Sequence, residues 1–241
     1  DNFGDELLTT VRNMHGIEEA EARRVFNVRV RTAESDQWTT LDIIAVDDFD
    51  ANQVNLLALM QGEVKPGKNE VLLERDALEE LDVQVGQELV FELPDGTPKS
   101  LHVVGFVQDP TTGADDFLAP PFGYVTMDTL TTLHQPDTFN RIYASVSEGK
   151  DDLSHIRRVG TDLKDKIEKT GTATYRMNFS KTHEHPMAAT VNAILGILMA
   201  LGVLIVLLSS SLIANTLNAL LNQHKRHIGV IKLVGGRNHQ V

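Results

Sequence analysis

The sequence predicts an α+β outer domain followed by one transmembrane α-helix. Residues 1–185 alternate between strand-like and helix-like apolar patterns, whereas no Asp, Glu, Lys or Arg occurs in the 40 residues between Glu184 and Lys225. The most apolar part, residues 191–214, would form about 36 Å of helix, enough to cross a hydrocarbon core of about 30 Å. The alternative is a buried helix of a soluble protein, but such helices are rarely apolar on every face over this length. We therefore predict a transmembrane helix with a cytoplasmic extension over residues 186–222.

The charge on either side of this helix predicts its direction. Four of the 22 basic residues and none of the 34 acidic residues follow Pro186, which leaves a net charge of −16 before it. Basic residues close to a span favour the cytoplasmic side of the membrane. We expect residues 1–185 outside the cytoplasm and residues 223–241 inside it, at the cell (inner) membrane. The chain begins at Asp1 without an export signal, so we also expect another membrane segment before it in a longer protein.

The first 61 residues predict a helix followed by a β-hairpin. Four apolar residues recur at helical spacing near the N-terminus, and Gly16 follows them as a stop signal. Two alternating runs separated by turn residues come next. The predicted elements are a helix over Phe3–Asn13 and strands over Ala22–Arg31 and Trp38–Val46.

Residues 62–124 predict a compact, mostly β unit. The Pro94–Thr97 turn contains Asp-Gly, a strong hairpin signal, between two apolar runs. A Pro- and Gly-rich loop without periodicity follows over residues 109–122, and it is a candidate contact for an external partner or substrate. The predicted elements are strands over Glu70–Leu73, Gln87–Leu93 and Leu101–Val107 and a short helix over Asp76–Leu81.

The residues before the span predict a β-α-β block that mirrors the N-terminal block. The best amphipathic pattern of the chain lies in this region and ends at Gly171. Residues 1–61 and 125–185 are therefore predicted to form one α+β domain, with residues 62–124 inserted into it. The predicted elements are helices over Met127–Leu133 and Asp152–Lys169 and strands over Phe139–Val146 and Thr172–Met177.

Composition and short motifs restrict the chemistry. The acidic balance argues against nucleic acid as a partner, and the absence of cysteine excludes disulfides and thiolate metal sites. Asp47–Asp50 could offer oxygen ligands to calcium, but no glycine turn or later Glu completes such a loop, so a solvated turn is favoured. His183 and His185 could bind a metal, but a polar hinge is favoured because i and i+2 do not share a helix face. We expect no metal and no cofactor.

Small residues within the span predict contact with other membrane helices. Gly196, Ala200 and Gly202 lack large side chains, and Ser209–Ser211 add hydroxyl groups further along. Small residues allow helices to approach closely in lipid. We predict that Gly196, Ala200 and Gly202 form a packing surface.

The tail after the span carries a specific motif. A basic pair is followed by Ile228-Gly229, two aliphatic residues, Lys232, two apolar residues and Gly235-Gly236. This order resembles the segment after the second membrane helix of FtsX/MacB-type ABC transporter permeases, although His227 stands where that family usually has Glu. Three further short motifs are similar to the extracytoplasmic core domain of the family, and they lie at residues 67–73, 85–89 and 103–110.

The resemblance implies a four-span permease of which this chain contains the outer domain, the second span and the first cytoplasmic segment. It implies an outer domain of split ferredoxin-like, porter-like halves, an ABC ATPase subunit as partner and a second permease subunit in a homo- or heterodimer. ATP-driven closure below the membrane would then move the outer domain for export, extraction or signalling. The outer domain is also a candidate binding site for an external partner or substrate.

Within residues 223–241, the resemblance implies a coupling helix that docks on the ATPase. Its apolar residues suit protein contact and its basic residues suit acidic groups of a partner, whereas a plain basic stop signal would not explain the glycine spacing. The predicted docking residues are Lys225, Arg226, Ile228, Gly229, Val230, Ile231, Lys232, Leu233, Gly235 and Arg237.

The sequence predicts no enzymatic activity for this chain. It contains no Gly-Lys-Ser/Thr phosphate loop, so ATP hydrolysis is expected in a partner subunit or domain. The main alternative is a membrane-anchored extracytoplasmic sensor or receptor, which Gly235-Gly236 disfavours because such proteins continue into a helical linker. A membrane-anchored hydrolase lacks support from any nucleophile elbow, zinc motif or carboxylate pair.

Overall fold

The computed structural model describes residues 1–110, 120–182 and 188–233. These residues form eight strands and five helices in two compact units, residues 1–186 and residues 187–241. In chain order, the elements are α1 (Asp5–Arg12), β1 (Ile17–Thr32), β2 (Thr39–Val46), β3 (Ala58–Gly62), β4 (Glu70–Glu74), α2 (Arg75–Leu81), β5 (Glu88–Glu92), β6 (Pro98–Gln108), β7 (Phe122–Thr126), α3 (Met127–Thr132), β8 (Arg141–Val146), α4 (Leu153–Lys169) and α5 (Ala188–Leu233).

Six strands of the first unit close into a ring. The hydrogen-bonded order is β1, β2, β7, β4, β6 and β5, and β5 then pairs with β1 again. The closing ladder joins Arg29–Thr32 of β1 to Leu89–Glu92 of β5. The β2–β7 and β4–β6 pairs are parallel, and the other four are antiparallel. Closure removes the open edges that a sheet would otherwise expose.

The interior of the ring contains the main hydrophobic core. Each ring strand contributes every second side chain to it, as the two-residue period of a strand requires. Leu81 of α2, Leu130 of α3 and Leu133 directly after α3 also belong to this core. The fully buried ring residues are Val30, Leu41, Ile43, Ala45, Val71, Leu73, Leu89, Phe91, Leu101, Val103 and Val125.

Two further clusters lie on the outer side of the strands. One contains Tyr124 of β7, with Phe49 and Leu57 from the segment between β2 and β3 packed against it. The Tyr124 hydroxyl donates a hydrogen bond of 2.8 Å to Asp109 Oδ2. Burial, followed by the Asp109 carboxylate, raises the pKa of Tyr124. The phenol therefore stays protonated and acts as a donor. The other cluster joins α1 and α4 to β1 through apolar side chains including Leu8 and Leu163.

The predicted α+β class and the C-terminal apolar helix are confirmed. The division into residues 1–61 plus 125–185 and residues 62–124 stays a prediction. Within the ring, however, strands of both parts bond directly, because β5 pairs with β1, and Phe122–Tyr124 of β7 pair with Asp42–Ile44 of β2. The Asp47–Asp50 stretch forms a turn in which Asp48 Oδ1 accepts hydrogen bonds from the amides of Asp50 and Ala51, at 2.8 and 3.2 Å.

One predicted strand is wrong and two strands were missed. Residues 172–177 alternate like a strand, but they form none in the structure: the Ala173 amide donates a hydrogen bond to the Asp1 carboxylate, and Met177 lies against Gly160 of α4. The strand β3 was missed because all five of its residues are exposed and show no alternation of burial. The strand β7 was missed because its first residues belong to a Pro- and Gly-rich stretch.

Candidate functional site

The helix α5 has the length and composition of a membrane span. It extends over 46 residues, about 69 Å at 1.5 Å per residue. Residues Thr190–Lys225 contain a window of mean hydropathy 2.8, and that window is fully exposed within the described structure. Its apolar side chains therefore contribute to no protein core there, as expected of a helix whose solvent is lipid.

The predicted packing residues do not share one face of α5. At about 100° per residue, Gly196 and Ala200 lie about 40° apart, whereas Gly202 lies about 200° from Ala200. A straight helix therefore brings Gly196 and Ala200 together and places Gly202 on the opposite side. Ala214 falls on the Gly196 face because 18 residues make about five full turns. Packing by these residues stays a prediction.

The predicted docking segment continues the span as one helix. Lys225, Gly229, Val230 and Leu233 all belong to α5, and all four are exposed. The backbone of Arg226, Ile228, Ile231 and Lys232 is also helical, but their side chains lie outside the described part of the chain. Gly235 and Arg237 lie outside it entirely, as do His183 and His185. The span and the first part of the docking segment therefore form one rod.

The polypeptide that precedes α5 is attached to the first unit at three places. We call residues 172–182 the connecting segment, which leaves α4 and leads toward α5. At its beginning, the Asp1 carboxylate accepts hydrogen bonds from the Ala173 amide, at 3.0 Å, and from the Tyr175 hydroxyl, at 3.2 Å. The first residue of the chain and the connecting segment therefore lie side by side.

The second attachment is a close contact with α4 at Gly160. A Cβ atom on Gly160 would lie only 2.3 Å from Cε1 of Phe179 and 3.3 Å from Cε of Met177. Glycine inside a helix costs roughly 1 kcal/mol relative to alanine, so this position needs a reason. The reason here is space, because only a residue without a side chain lets the Phe179 ring touch the helix backbone.

The third attachment is at the end of the connecting segment. The Thr182 amide donates a hydrogen bond of 3.2 Å to the Lys150 carbonyl oxygen. The Lys150 ammonium group in turn pairs with the Glu18 carboxylate on β1. A hydrogen bond from Lys150 lowers the pKa of Glu18, so the carboxylate stays charged over the physiological pH range. These contacts hold the end of the connecting segment against the sheet.

The structural roles of Gly160 and Arg23 were not predicted from the sequence. Gly160 was a detectable signal, since it interrupts the most regular amphipathic helix of the chain. Arg23 stands in an alternating strand among other basic residues, so its pattern resembled that of an exposed side chain. Only the tertiary structure shows it buried, with 1% of its surface exposed.

Comparison with known proteins identifies the family of the first unit. Residues 1–156 match the model of the MacB-like periplasmic core domain. No protein with a curated description matches the sequence.

The solved structures similar to the chain include the following two. The extracellular domain of the ABC-type transporter YknZ from Gram-positive bacteria is 15% identical, with a TM-score of 0.49 over 71% of this chain and 86% of that one. The periplasmic region of MacB from Actinobacillus actinomycetemcomitans is 14% identical, with a TM-score of 0.44 over 73% of this chain and 85% of that one.

The family match extends over more than half of the chain, and an apolar helix long enough to span a membrane follows it. The chain therefore belongs to the MacB-like periplasmic core domain family, and it is part of a membrane-bound ABC transporter permease subunit with an extracytoplasmic domain.

Proposed function

We propose that this permease subunit couples ATP hydrolysis by a separate ABC ATPase to movement of its extracytoplasmic domain, for export, extraction or signalling. The observation that carries the proposal is the uninterrupted helix from Ala188 to Leu233, which joins the apolar span to the predicted docking segment. A continuous helix transmits displacement better than a span followed by a flexible loop. In this proposal the docking segment is cytoplasmic, the chain itself is not an enzyme, and a second permease subunit completes the assembly.

The connecting segment is the proposed link between the span and the folded outer domain. Its contacts with Asp1, Gly160 and Lys150 attach it to α4 and to the sheet. A pull on residue 182 would therefore act on the folded domain rather than stretch a loose linker. The three contacts involve a carboxylate, an aromatic ring and a backbone amide, so they can be weakened separately.

Charge reversal at Arg226 and Lys232 is expected to weaken ATPase binding by about 10- to 100-fold, because basic groups at a protein interface meet acidic partners. The double variant Arg226→Glu, Lys232→Glu would be compared with wild type by the amount of ATPase that co-purifies with the full-length permease. The matched control is Arg158→Glu, Lys164→Glu on α4, which reverses an Arg and a Lys at the same spacing of six residues.

Two results would contradict the docking proposal. One is equal co-purification of ATPase with the α5 variant and with wild type. The other is an equal loss in the α4 control, which would indicate a general effect of added negative charge. A kinase or other signalling domain encoded after Val241 would favour the sensor alternative instead.

Replacing Gly160 by leucine is expected to detach the connecting segment from α4. Leucine favours helix more than glycine does, so any loosening must come from the collision with Phe179. Hydrogen exchange at the amides of residues 172–182 should become at least about tenfold faster. The control is Thr161→Leu, which adds the same side chain at the next, exposed position of α4. Unchanged exchange in the Gly160 variant would show that this contact does not hold the segment.

A further inference from the structure

An exposed apolar surface lies around β3. We call residues 56–64, which comprise β3 and its flanking residues, the β3 ribbon. All five residues of β3 are exposed. The large apolar side chains of the ribbon have exposed fractions of 58% for Leu56, 45% for Leu59, 50% for Met60 and 66% for Val64. Several large exposed apolar side chains within nine residues of a folded domain indicate a candidate interaction site.

The N-terminal end of the β3 ribbon is held by a buried arginine. Nη2 of Arg23 donates a hydrogen bond of 2.6 Å to the Val54 carbonyl oxygen and lies 3.3 Å from Oε2 of Glu21. Oε1 of Glu21 accepts hydrogen bonds from the amides of Gln53 and Val54. The Arg23 guanidinium also lies 4.8 Å from the centre of the Tyr143 ring. A buried charged pair is a costly way to hold a loop, so the position of this loop matters.

The C-terminal end of the β3 ribbon is held by close backbone contacts. A Cβ atom on Gly62 would lie 2.3 Å from the Val104 carbonyl oxygen, and one on Gly105 would lie 2.7 Å from the Glu63 carbonyl oxygen. Gly62 also has a positive φ of 86°. The amide of Glu63 donates a hydrogen bond of 2.9 Å to the Val104 oxygen. The apolar side chains are therefore displayed from a well-anchored ribbon.

One backbone edge of β3 has no partner strand within the described part of the chain. Among the described residues β3 pairs with β6 alone, from Ala58 opposite Gln108 to Gly62 opposite Gly105. Exposed edges of natural sheets usually carry charge or proline to prevent pairing with other chains. No charged residue and no proline occurs between Asp50 and Glu63. The edge is therefore open to an added strand.

The surroundings of the β3 ribbon are acidic. Asp47, Asp48, Asp50 and Glu63 flank it in sequence, and Lys65, the one basic residue of this stretch, is paired with Asp50. Burial, and then the negative charges of Asp5 and Asp48, raise the pKa of Asp47. An electrostatically complementary partner must therefore carry basic residues beside its apolar ones.

We propose that the β3 ribbon binds an extended segment of another extracytoplasmic polypeptide, in which apolar residues are flanked by lysine or arginine, as an added β-strand. Main-chain hydrogen bonds to the free edge would provide affinity, and the exposed leucine and methionine side chains would provide apolar contact. The flanking carboxylates would select for basic residues. This proposal is independent of the ATPase-docking proposal, because it concerns only the first unit.

The test uses the full chain in detergent micelles and four synthetic peptides. The first has six alternating Val and Thr residues with two Lys residues at each end, and the second has Glu in place of Lys. The third and fourth are the Lys peptide N-methylated at alternate residues. One is methylated at the odd-numbered positions and the other at the even-numbered positions, and these are the two methylation phases. We expect binding of the Lys peptide by fluorescence anisotropy, at least about tenfold weaker binding of the Glu peptide, and loss of binding for one methylation phase only.

Variants locate the binding site. Met60→Asp and Leu59→Asp should each weaken binding of the Lys peptide by at least about tenfold, whereas Thr161→Asp on α4 adds the same charge and should change it less than about twofold. Both ribbon positions are exposed, so the fold is expected to persist, and unchanged thermal unfolding would verify this. Unchanged peptide binding by the ribbon variants would overturn the proposed site. Equal binding of the Lys and Glu peptides would overturn the charge selection, and equal effects of both methylation phases would overturn strand addition.

A second copy of this chain is the competing occupant. Because the chain contains no cysteine, Met60→Cys introduces a single thiol. Disulfide-linked dimers of this variant under mild oxidation, with concentration-dependent association of the wild-type chain, would overturn the proposal in favour of self-pairing. A monomeric variant that the Lys peptide protects from a thiol reagent would support it.

Discussion

Replacing Phe91 by alanine is expected to reduce the free energy of unfolding of the first unit by about 3–5 kcal/mol, the usual cost of removing a fully buried aromatic ring. Phe91 is fully buried inside the ring of strands, on the β5 ladder that closes against β1. The cavity would lie where the closing strands meet. The remaining side chains cannot collapse into it without breaking strand pairing.

Urea unfolding followed by tryptophan fluorescence would measure this loss. Trp38 is the single tryptophan, and the guanidinium groups of Arg29 and Arg31 each lie 5.3 Å from its ring centre. The fluorescence signal therefore reports on the strand that closes the ring. The control is Phe122→Ala on β7. The phenyl group of Phe122 is only partly buried, so the expected loss of unfolding free energy is smaller. A loss below about 1 kcal/mol for Phe91→Ala would contradict a closed, tightly packed interior.

Replacing Arg23 by alanine is expected to reduce the free energy of unfolding by about 3–5 kcal/mol, the usual effect of removing one partner of a buried ion pair. The variant would leave the Glu21 carboxylate without its guanidinium partner and would remove the hydrogen bond to the Val54 carbonyl oxygen. Residues 52–57 would be released, because Arg23 and Glu21 together hold that segment against β1. The loss of local stability would therefore be largest near the beginning of the β3 ribbon.

Two measurements would separate this local effect from general destabilisation. Urea unfolding gives the total loss, and hydrogen exchange at the amides of residues 52–57 should rise before exchange elsewhere in the sheet. The control is Arg29→Ala, which breaks the 2.8 Å ion pair with Glu92. The Arg29 side chain is 55% exposed, so we expect a loss below about 1 kcal/mol. Equal losses for the two variants would contradict a special role of Arg23.

The Arg23 variant also links the fold to the proposed binding surface. If Arg23 holds the β3 ribbon in position, Arg23→Ala should weaken peptide binding although no peptide contacts Arg23. The cause would be the entropy of ordering the released segment on binding. Direct loss of apolar contact in Met60→Asp would occur without faster exchange at residues 52–57, so hydrogen exchange distinguishes the two causes.

Local patterns were enough to predict many of the elements. The helix α4 has a regular apolar face over its full length, and the β5–β6 hairpin has an Asp-Gly turn at residues 95–96 between two apolar runs. The sequence signal for the span is still more local, because an uncharged apolar run of this length can be recognised without knowledge of its tertiary contacts. The family resemblance also used only short motifs of sequence, and the family match over residues 1–156 confirmed it for the outer domain.

Long-range pairing could not be predicted in the same way. The strand β7 has only five residues, and it is ordered by parallel pairing with β2, in which Phe122 lies opposite Asp42, 80 positions earlier in the chain. Residues 172–177 show the reverse case. Their alternation suits a strand, but Met177 instead lies against α4, where Gly160 leaves the space that Met177 and Phe179 occupy.

The sequence by itself determined that this protein has an acidic α+β domain, an apolar span and a basic tail, because composition, periodicity and turn chemistry act over a few neighbouring residues. Only the tertiary structure decided that six strands close into a ring, that Arg23 is buried against the segment before the β3 ribbon and that the connecting segment packs against Gly160. Those features depend on which distant residues meet, and the free energy of such contacts belongs to the packed molecule rather than to any stretch of its sequence.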